Sequence, residues 1–571
     1  MSSMNFSKAN CKNCYKCVNS CSVKAIKMFE NQAEIVDDRC ISCGHCLVVC
    51  PQNARSIISY NENVKNAILS GRNVVASIAP SFAGFFQHCP PENLVAALKK
   101  LGFSRVEETS IGAGIVSKYY SEYINDNKFE NLITTSCPSA NLLVEKYFPS
   151  LVKYLAPVVS PMAAHAKIVK KELGEDTYFV FIGPCISKLT EAAREDAKEV
   201  DAVLTFEELV EWIYEEKIDV FNIKPAAFDR VSSSKSSGYP IMGGVLNTIN
   251  INERKLKMIE VDGTDECIEI FKSIEKNDIS GVCIEANVCK GGCIGGPYAA
   301  KDKTGFYNRM LKVKEYVDYK EKTVNPEEIK IPEGINFKRN FEDKGIKIKI
   351  ASDVEIKEIL EKMGKFEKSD ELNCGGCGYN SCREHAQAVY EGMSEAELCL
   401  PNLRSKAESF SNVIFENTPN LLFILDKDLY IKELNPTALE VLKLREDQVK
   451  GNLINKIFDD DYFMKVKDIK KDLIRHKLYI KKYGITVLLS IVYVPKQDIF
   501  IVIMINITKD EKNREELLKV RENTVNAATE VIENQMRVAQ EIASLLGETT
   551  AETKLILTKL KKIALEDSGD I

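Results

Sequence analysis

The spacing of the cysteines constrains this chain more than any other feature of its sequence. The 571 residues include 19 cysteines, and two short segments place four of them each at intervals of two, two and three intervening residues. The two sets are Cys11, Cys14, Cys17 and Cys21 in CKNCYKCVNSC, and Cys40, Cys43, Cys46 and Cys50 in CISCGHCLVVC. Because the chain shows no secretion signal, we expect its thiols to be reduced and to bind metal rather than form disulfides.

Both segments resemble the motifs of the bacterial two-cluster ferredoxins, in which the fourth cysteine of each motif completes the other cluster. The resemblance implies one 4Fe-4S cluster on Cys11, Cys14, Cys17 and Cys50, and a second on Cys40, Cys43, Cys46 and Cys21. The alternative is a pair of structural zinc sites, whose usual CxxC pairs lack the third and fourth cysteines. We therefore interpret residues 1–59 as a two-cluster ferredoxin domain.

Composition narrows the class of protein and of partner. The chain is 45% hydrophobic and 28% charged, with a formal net charge of -6 and a pI of about 5.8. This balance gives no electrostatic reason to expect nucleic acid or an anionic membrane as a partner. No apolar run approaches the roughly 20 residues that span a bilayer, and the first residues do not resemble a leader. We expect a multidomain, cytoplasmic protein that binds neither nucleic acid nor membrane.

Residues 60–335 predict an α/β domain with parallel strands. Apolar runs such as NVVASIAPSF and YFVFIGPC alternate with amphipathic stretches such as PENLVAALKKLG, a pattern typical of strands separated by helices. Cysteines follow the predicted strands in TTSCPSA, GPCISKLTE and EANVCKGGCIGGP. Ligands at the ends of several strands are expected to converge in one crevice between two lobes.

These three segments resemble, in order, the three H-cluster motifs of the iron-iron hydrogenases. The resemblance implies an H-cluster whose cubane is bound by Cys137, Cys185, Cys289 and Cys293. Cys293 would also bridge to a di-iron subsite that carries carbonyl, cyanide and azadithiolate ligands. Lys188 would bind a cyanide ligand, which offsets the cost of burying either charge alone. The glycines of CKGGCIGGP would leave backbone amides free to bind cluster sulfur.

The resemblance implies further residues around the di-iron subsite. Glu191 and Glu285 match the glutamates of the second and third motifs. Ala79 and Pro80 in SIAPSF, and Ser160 and Pro161 in VVSPM, match residues that form the wall of the catalytic pocket.

The chain departs from the family at the positions that carry protons. Ser136 replaces a relay cysteine, and a hydroxyl is a poorer proton donor and acceptor at neutral pH than a thiol with a pKa near 8.5. Tyr120 and Tyr123 stand where the family's proton path has acidic residues, and Ala156 stands where that path has a serine. In the pocket, Met162 replaces a glutamine and Asn287 replaces a methionine. We therefore predict that the usual proton route is broken and that turnover is slow.

A third cysteine group follows a lysine-rich stretch near residues 310–350, which we interpret as linker or helical surface. It comprises Cys374, Cys377, Cys382 and Cys399. The pattern resembles the small 4Fe-4S domain of corrinoid iron-sulfur proteins and of some hydrogenase-like sensors, and zinc is the alternative. Residues 336–405 are thus predicted to hold another 4Fe-4S cluster. The remaining cysteines are interpreted as buried small hydrophobic residues: Cys89, Cys267 and Cys283.

Residues 406–508 resemble a PAS domain. The sequence predicts a helix, two strands, a short helix that opens at Asn435 and Pro436, and then closing antiparallel strands in GITVLLSIVYVP and DIFIVIMINIT. Residues 509–571 predict an amphipathic or coiled-coil helix. A helix of this length after a PAS domain predicts a parallel homodimer, and packing of the helix on its own PAS domain is the alternative.

The predicted fold is multidomain, α/β and α+β: a two-cluster ferredoxin domain, a two-lobed α/β H-cluster domain, a small 4Fe-4S domain, a PAS-like domain and a C-terminal helix. The first functional hypothesis is an H2 sensor that slowly interconverts H2 and protons. Its electrons pass through three 4Fe-4S clusters to the PAS module, which acts on a signalling partner in trans. The second is a metabolic hydrogenase that exchanges electrons with ferredoxin. Both need hydrogenase maturation proteins, and the broken proton route favours the first.

Overall fold

The computed structural model describes residues 4–7, 10–30, 32–126, 129–250, 256–297, 305–323, 331–458, 461–546 and 551–566. The chain divides into two compact units, Met1–Leu403 and Arg404–Ile571. In the described part of the chain, no helix is both long enough and apolar enough to cross a membrane.

The first unit opens with two short antiparallel strand pairs and two single-turn helices. In chain order these are β1 (Met4–Phe6), α1 (Lys16–Asn19), β2 (Ile26–Phe29), β3 (Gln32–Ile35), α2 (His45–Val48) and β4 (Arg55–Ile57). β1 pairs with β4, and β2 pairs with β3. The third cysteine of each motif, Cys17 or Cys46, lies in one of the two short helices. The repeated motif therefore gives a repeated local structure.

The α/β domain is built on two parallel sheets. Its elements are α3 (Asn61–Leu69), β5 (Val74–Ile78), α4 (Phe82–Phe85), α5 (Pro91–Leu101), β6 (Arg105–Glu108), α6 (Ser110–Asn125), β7 (Leu132–Ile133), α7 (Pro138–Tyr147), α8 (Pro161–Leu173), β8 (Tyr178–Gly183), α9 (Ser187–Ala192), β9 (Ala202–Thr205), α10 (Phe206–Glu215), β10 (Lys257–Asp262), α11 (Thr264–Glu275), β11 (Val282–Asn287) and α12 (Phe306–Thr323). The strand orders are β6-β5-β8-β9 and β10-β11-β7. This confirms the prediction of a parallel α/β architecture.

Local sequence explains where these elements start and stop. Every residue of β5 is buried, as expected for a parallel strand that is covered on both faces. Thr205 and Glu208 form a reciprocal capping box at the start of α10, which satisfies amides that the first turn cannot pair. Gly102 ends α5 with a φ of 106°, a conformation that glycine adopts without steric cost.

Helices α6 and α8 approach each other closely at Gly112. A Cβ atom at this position would overlap the carbonyl oxygen of Pro161 and lie 2.9 Å from the backbone nitrogen of His165. Only a residue without a side chain allows the two helix backbones this contact. The first turn of α8 is therefore held against the first turn of α6.

The lysine-rich stretch packs partly into the core. Lys320 on α12 and Arg339 beyond it are only 1% and 3% exposed, so the interpretation of this stretch as linker or helical surface is wrong at both positions. Each is buried because it pairs with a glutamate of the α/β domain. The first unit continues with α13 (Asp353–Lys362) and α14 (Cys382–Tyr390), and α15 (Leu400–Asn417) begins at the residue after Cys399.

Within the residues described, the second unit contains an antiparallel sheet of five strands, and three α-helices separate the second strand from the third along the chain. Its elements are β12 (Leu421–Asp426), β13 (Ile431–Leu434), α16 (Pro436–Leu442), α17 (Glu446–Val449), α18 (Tyr462–Ile469), β14 (Leu473–Ile480), β15 (Ile485–Val494), β16 (Ile499–Asn506), α19 (Thr508–Leu546) and α20 (Ala551–Glu566). The strand order is β13-β12-β16-β15-β14. Asn435 opens α16 as predicted, because its Oδ1 accepts hydrogen bonds from the amides of Leu422 and Ala438.

Candidate metal centre

Four cysteines from separate loops line one cavity in the α/β domain. Cys137, Cys185 and Cys289 each follow the end of a parallel strand, β7, β8 and β11 respectively, by two to four residues, and Cys293 follows one turn later. All four line one open cavity, whose empty space, counted out to the solvent at its mouth, is about 960 Å³. The topology brings these residues together because the carboxyl ends of parallel strands meet at one edge of each sheet.

Burial and the neighbouring thiols disfavour the ionised form of three of these cysteines, Cys185, Cys289 and Cys293. Burial raises the pKa of Cys185 to about 11 and holds that of Cys289 well above its ordinary value, and neighbouring thiols act in the same direction. Clustered thiols of this kind lose their protons when a cation binds them. Soft thiolates suit iron-sulfur clusters.

The first ferredoxin-like motif has a similar cavity that includes a cysteine from the second motif. Cys11, Cys14, Cys17 and Cys50 line about 390 Å³ of empty space. Burial raises the pKa of Cys43 to about 12, with Cys21 and Cys40 as further causes. Burial also raises the pKa of Cys46, and the neighbouring Cys43, Cys40 and Cys21 raise it further. The structure thus groups Cys50 with the first motif and Cys21 with the second.

The third cysteine group also surrounds a cavity. Cys374, Cys377, Cys382 and Cys399 line about 310 Å³ of empty space. The cavity of the α/β domain is more than twice as large as this one or the one at the first motif. Its four thiols are the donor set of a 4Fe-4S cubane. Two of the remaining cysteines, Cys267 and Cys283, are fully buried, and Cys89 is only half-buried.

Lys188 lies in the wall of the large cavity and is supported from behind by a carboxylate. Its Nζ is 2.6 Å from Oε2 of Glu191 and 3.4 Å from the carbonyl oxygen of Ser136. Glu191 also accepts hydrogen bonds from Ser160 at 3.0 Å and from Arg339 at 2.6 Å. Desolvation acts to raise the pKa of Glu191, but Lys188 and Arg339 outweigh it and lower the pKa. Glu191 is therefore ionised and anchors the lysine.

Nothing in the sequence predicted that Arg339 contributes to the site. It lies 148 residues from Glu191, in a segment whose composition suggested exposure. With Lys188 it places two cations on one buried carboxylate. Asp196 lies 3.5 Å from Arg339, and it pairs in turn with Arg194 at 3.2 Å. The group around Glu191 therefore keeps one net positive charge beside the cavity.

The other predicted pocket residues divide between the cavity wall and the layer behind it. The wall includes Ala79, Pro80, Ser136, Pro161, Met162 and Asn287. Ser160 and Glu285 lie outside it, as Glu191 does, in contact with wall residues. Sequence reasoning did not identify several other wall residues: Ser81, Thr109, Ser110, Phe181, Tyr239 and Val245. Three of the six, Ser81, Thr109 and Ser110, lie within three residues of the end of a strand, and that position is the signal that could have found them.

Tyr120 contacts the serine at the relay position. Its hydroxyl lies 3.2 Å from Oγ of Ser136 and accepts a hydrogen bond from the amide of Thr135 at 2.8 Å. Burial raises the pKa of Tyr120. Tyr123 instead donates to the carbonyl oxygen of Pro157 at 3.2 Å. Only the first of the two tyrosines is hydrogen-bonded to the relay position, and it is a weak acid.

Glu285 is a buried carboxyl whose hydrogen-bond donors are uncharged. It accepts from the amides of Val245 and Leu246 at 3.1 and 3.0 Å and from the side chain of Asn287 at 3.1 Å. Burial, with a contribution from Glu260, raises its pKa to about 7. It can therefore exchange a proton near neutral pH.

The cysteine groups of the first unit lie close to one another. Cys43, of the second motif, also lines the large cavity. Cys377 packs in the same apolar cluster as Cys17, Cys21 and Cys46, and Lys24 donates to the carbonyl oxygen next to it, that of Gly378, at 2.9 Å. Arg55 is buried between the first two groups and opposes the burial that raises the pKa of Cys17.

Comparison with known families agrees with these groups. Residues 72–297 match the model of the iron only hydrogenase large subunit, C-terminal domain. Residues 10–54 match a 4Fe-4S dicluster domain, and residues 370–401 match an Fe-S cluster model. The fold and the site thus define an iron-sulfur protein with several cluster-binding groups. Residues 72–297 are thus a domain of the iron-only hydrogenase type.

Curated relatives fall into two kinds. Iron hydrogenase 1 of Clostridium pasteurianum is 23% identical over 52% of this chain and 64% of that protein. The NADP-reducing hydrogenase subunit HndD of Solidesulfovibrio fructosivorans is 24% identical over 52% of this chain and 61% of that protein. The chain thus spans just under two thirds of the length of these two relatives. Protein NAR1 of Arabidopsis thaliana is 23% identical over 48% of this chain and 74% of that protein. Among solved structures, an FeFe hydrogenase of Chlamydomonas reinhardtii covers 51% of this chain and 100% of its own, with 14% identity and a TM-score of 0.40.

Proposed function

We propose that this protein holds an H-cluster and slowly interconverts H2 with protons and electrons. The observation that carries the proposal is the large cavity of the α/β domain, in which four cysteines from three loops converge beside a lysine that a buried glutamate supports. Cys137, Cys185, Cys289 and Cys293 would hold the cubane, and the di-iron subsite would lie beside it in the same cavity.

The di-iron subsite, with its carbonyl, cyanide and azadithiolate ligands, supplies the heterolytic cleavage of H2 when it is bound. The residues around it orient and shield it. Lys188 places its ammonium group toward an anionic ligand, and the surplus positive charge around Glu191 favours that ligand in a water-poor site. Ala79, Pro80, Pro161 and Met162 form an apolar wall that limits water. Ser136 and Tyr120 are weak acids, which supports slow turnover.

Electrons would leave through the 4Fe-4S clusters. Cys43 lines the large cavity, and Cys377 packs with cysteines of both ferredoxin-like motifs, so three clusters could relay charge over short steps. α15 begins at the residue after Cys399 and leads along the chain to β12. These features support a sensor in which residues 336–405 connect the domain of residues 60–335 to a PAS-like domain in residues 406–508.

The second unit supports a signalling role through its element order and its helix. Two strands, short helices and three antiparallel strands follow one another as in the predicted PAS domain. α19 exposes apolar side chains at Leu517, Val520, Val531, Val538 and Ile542. We propose that this face pairs with the same helix of a second copy as a homodimer. The protein would be cytoplasmic, would exchange electrons with a redox partner such as ferredoxin, and would pass its signal to a partner in trans.

The test is infrared spectroscopy of the protein after anaerobic expression with the hydrogenase maturation proteins. Bands of carbonyl and cyanide ligands, together with iron for three 4Fe-4S clusters and an H-cluster, are expected. Cys382→Ala should leave those bands in place but abolish the difference in hydrogen exchange of residues 409–560 between H2 and argon. Zinc bound at the third cysteine group would remove that cluster from the scheme. Equal protection under both gases in the unmodified protein would contradict the sensor and favour a metabolic hydrogenase.

A second candidate is a role in assembling cytosolic iron-sulfur proteins. Its support is the match to NAR1 over 74% of that protein, and matches to cytosolic Fe-S assembly factors, such as that of Xenopus tropicalis over 62% of its length. The loss of the relay thiol at Ser136 agrees with it. This candidate predicts occupied 4Fe-4S sites, no carbonyl or cyanide bands after maturation, and transfer of a cluster to an apoprotein.

A further inference from the structure

A chain of buried hydrogen-bonding groups leads away from the large cavity at Thr109. Thr109 lines the cavity, and its Oγ1 lies 2.7 Å from Oγ of Ser77. Oγ of Ser77 is 2.8 Å from Nδ1 of His165, and Nε2 of His165 is 2.8 Å from Oε2 of Glu107. Four residues from β5, β6, the turn after β6 and α8 are thus joined without a gap.

The far end of this chain reaches partly exposed residues. Glu107 pairs with Arg105 and lies 3.9 Å from Arg230, whose side chains are 30% and 24% exposed. Arg230 pairs in turn with Glu172. Glu107 itself is buried, so the chain ends one layer below the surface, and the partly exposed Arg105 and Arg230 separate it from the rim of the domain.

The bonding of His165 differs from that of a histidine that only fills the core. The residue is completely buried, and it uses one ring nitrogen toward a hydroxyl and the other toward a carboxylate. That arrangement fixes the ring as a proton acceptor on one side and a donor on the other. The edge of the ring meets Phe179 at 5.5 Å, so the ring is also held by packing.

A neighbouring network shows the contrast. Ser110 also lines the cavity and donates to Glu108 at 2.6 Å. Glu108 then pairs with Tyr316 and with Lys320, which is itself buried. This network leads from the cavity into a neutral ion pair, whereas the one through His165 leads toward the rim.

We propose that Thr109, Ser77, His165 and Glu107 conduct protons between solvent and the large cavity, in place of the route that Ser136 interrupts. The inference rests on the proposed function. For inward transfer, the ring of His165 first takes the tautomer that carries its hydrogen on Nδ1 and leaves Nε2 free. A proton from solvent on Oε2 of Glu107 then passes to Nε2 of His165, and the proton on Nδ1 passes to Ser77. Ser77 gives its own proton to Thr109, and Thr109 gives its own to the group in the cavity. One proton enters and one leaves, and no electron moves.

The charges around the chain set its slow step. Desolvation acts to raise the pKa of Glu107, but the hydrogen bond from His165 and the charges of Arg230 and Arg105 lower it to about 2. A carboxyl with that pKa is protonated in only about one molecule in 10⁵ at pH 7. The entry of protons at Glu107 would therefore limit the rate and make it fall as pH rises. Facing the ring, β5 presents Ser77, β6 presents Glu107, and β8 presents Phe179.

The test uses matched substitutions in the matured protein. Ser77→Ala and Thr109→Val remove one hydroxyl each, and His165→Gln keeps hydrogen-bonding groups at the ring position. The controls are Ser232→Ala, a buried hydroxyl that donates to the carbonyl oxygen of Ser233, and Glu145→Gln, a buried carboxylate paired with Lys344. The three relay substitutions should slow exchange between D2 and water at least tenfold, because positioned proton transfer typically contributes about 10² to 10⁴-fold. Carbonyl and cyanide bands should not move, and both controls should stay within twofold.

Wild-type exchange rates in Ser77→Ala and Thr109→Val would overturn the proposal, even if His165→Gln does not fold. A second readout does not need the di-iron subsite. In protein that carries only 4Fe-4S clusters, nitrogen NMR of labelled histidine should show the ring proton of His165 exchanging with water, at a rate that Glu107→Gln lowers at least tenfold. Equal rates in both proteins would contradict the relay. Absence of carbonyl and cyanide bands in the wild type would instead reject the proposed function and leave this readout to decide.

Discussion

Two buried glutamates beside the large cavity differ in the number of cations that pair with them. Glu191 binds both Lys188 and Arg339, whereas Glu108 binds Lys320 and accepts hydrogen bonds from the hydroxyls of Tyr316 and Ser110. The first group keeps one positive charge and presents it to the cavity through Lys188. The second is neutral and holds α12 against β6.

The difference shows that buried ion pairs of the same chemistry can either bind a ligand or stabilise the fold. A neutral buried pair contributes mainly through the penalty that its loss would impose, because the remaining charge is left without a partner. A buried carboxylate that pairs with two cations leaves one positive charge uncompensated, and binding of an anion would compensate it. On this argument the Glu191 group is built for a ligand and the Glu108 group for the fold, and the following predictions separate the two.

The largest effect is expected from Lys320→Met. The substitution leaves Glu108 buried without its cation, and breaking such a pair costs about 3–5 kcal/mol. The free energy of unfolding, measured by denaturant titration, should fall by that amount. Lys312→Met on the same helix removes an exposed pair with Glu315 and should change stability by no more than about 1 kcal/mol. Equal effects of the two substitutions would refute the structural role of the Glu108 pair.

Glu285 extends the comparison to a carboxyl whose hydrogen-bond donors carry no charge. Its pKa is about 7 in the folded protein against an ordinary value of 4.5. Its stabilising contribution is therefore complete below about pH 4.5 and is lost as pH rises through 7, by about 3 kcal/mol. Glu285→Gln should remove this loss. Unfolding of wild type and variant at pH 5.5 and 8 measures it, and a difference that does not change with pH would contradict the assignment.

Glu107 should show the opposite sign. Its pKa of about 2 means that its contribution is present above about pH 4.5 and is lost as pH falls through 2. Glu107→Gln should therefore destabilise the protein at both pH 5.5 and pH 8, with no loss of effect at the higher pH.

Arg339→Met should affect the ligand more than the fold of the cavity. It removes the excess charge while Lys188 remains paired with Glu191. Loss of a residue that supports a metal site in this way commonly costs 10-fold to 100-fold in affinity or activity. We expect incorporation of the di-iron subsite to fall by that factor in infrared intensity, while absorbance of the 4Fe-4S clusters is kept. Lys344→Met, on an outer pair with Glu145, is the control, and an equal loss there would point to general instability.

The smallest effect is expected from Ser136→Cys. A thiol is a better proton carrier than a hydroxyl at neutral pH, but the next group outward, Tyr120, would be unchanged. We expect exchange between D2 and water to rise by less than about tenfold, because general acid-base transfer then fails one step further out. A rise of 100-fold would show that the route through Ser136 is intact beyond that residue.

The features that were predictable from the sequence are those fixed by local spacing. Three cysteines of each ferredoxin-like group, Cys11 to Cys17 and Cys40 to Cys46, lie within seven residues of one another, and the alternation of apolar runs predicted the parallel sheets. Lys188 and Glu191 are three residues apart on one helix. In contrast, His165 lies 58 residues from Glu107, and Lys320 lies 212 residues from Glu108. Such pairs form only when helices and strands pack, and neither residue's neighbours in sequence indicate them.

Gly112 gives the packing of α6 and α8 a consequence for natural variation and for engineering. Its missing side chain lets the backbone of α6 touch that of α8 at Pro161 and His165. Any larger residue there would push α8 outward, which would displace a wall of the cavity and lengthen the hydrogen bonds of His165 in one movement. Gly112→Ala would therefore have two effects at once: water or gas would enter the pocket more easily, and proton transfer through His165 would be impaired. A library that seeks wider gas access should vary Met162 or Phe181 and leave this glycine unchanged.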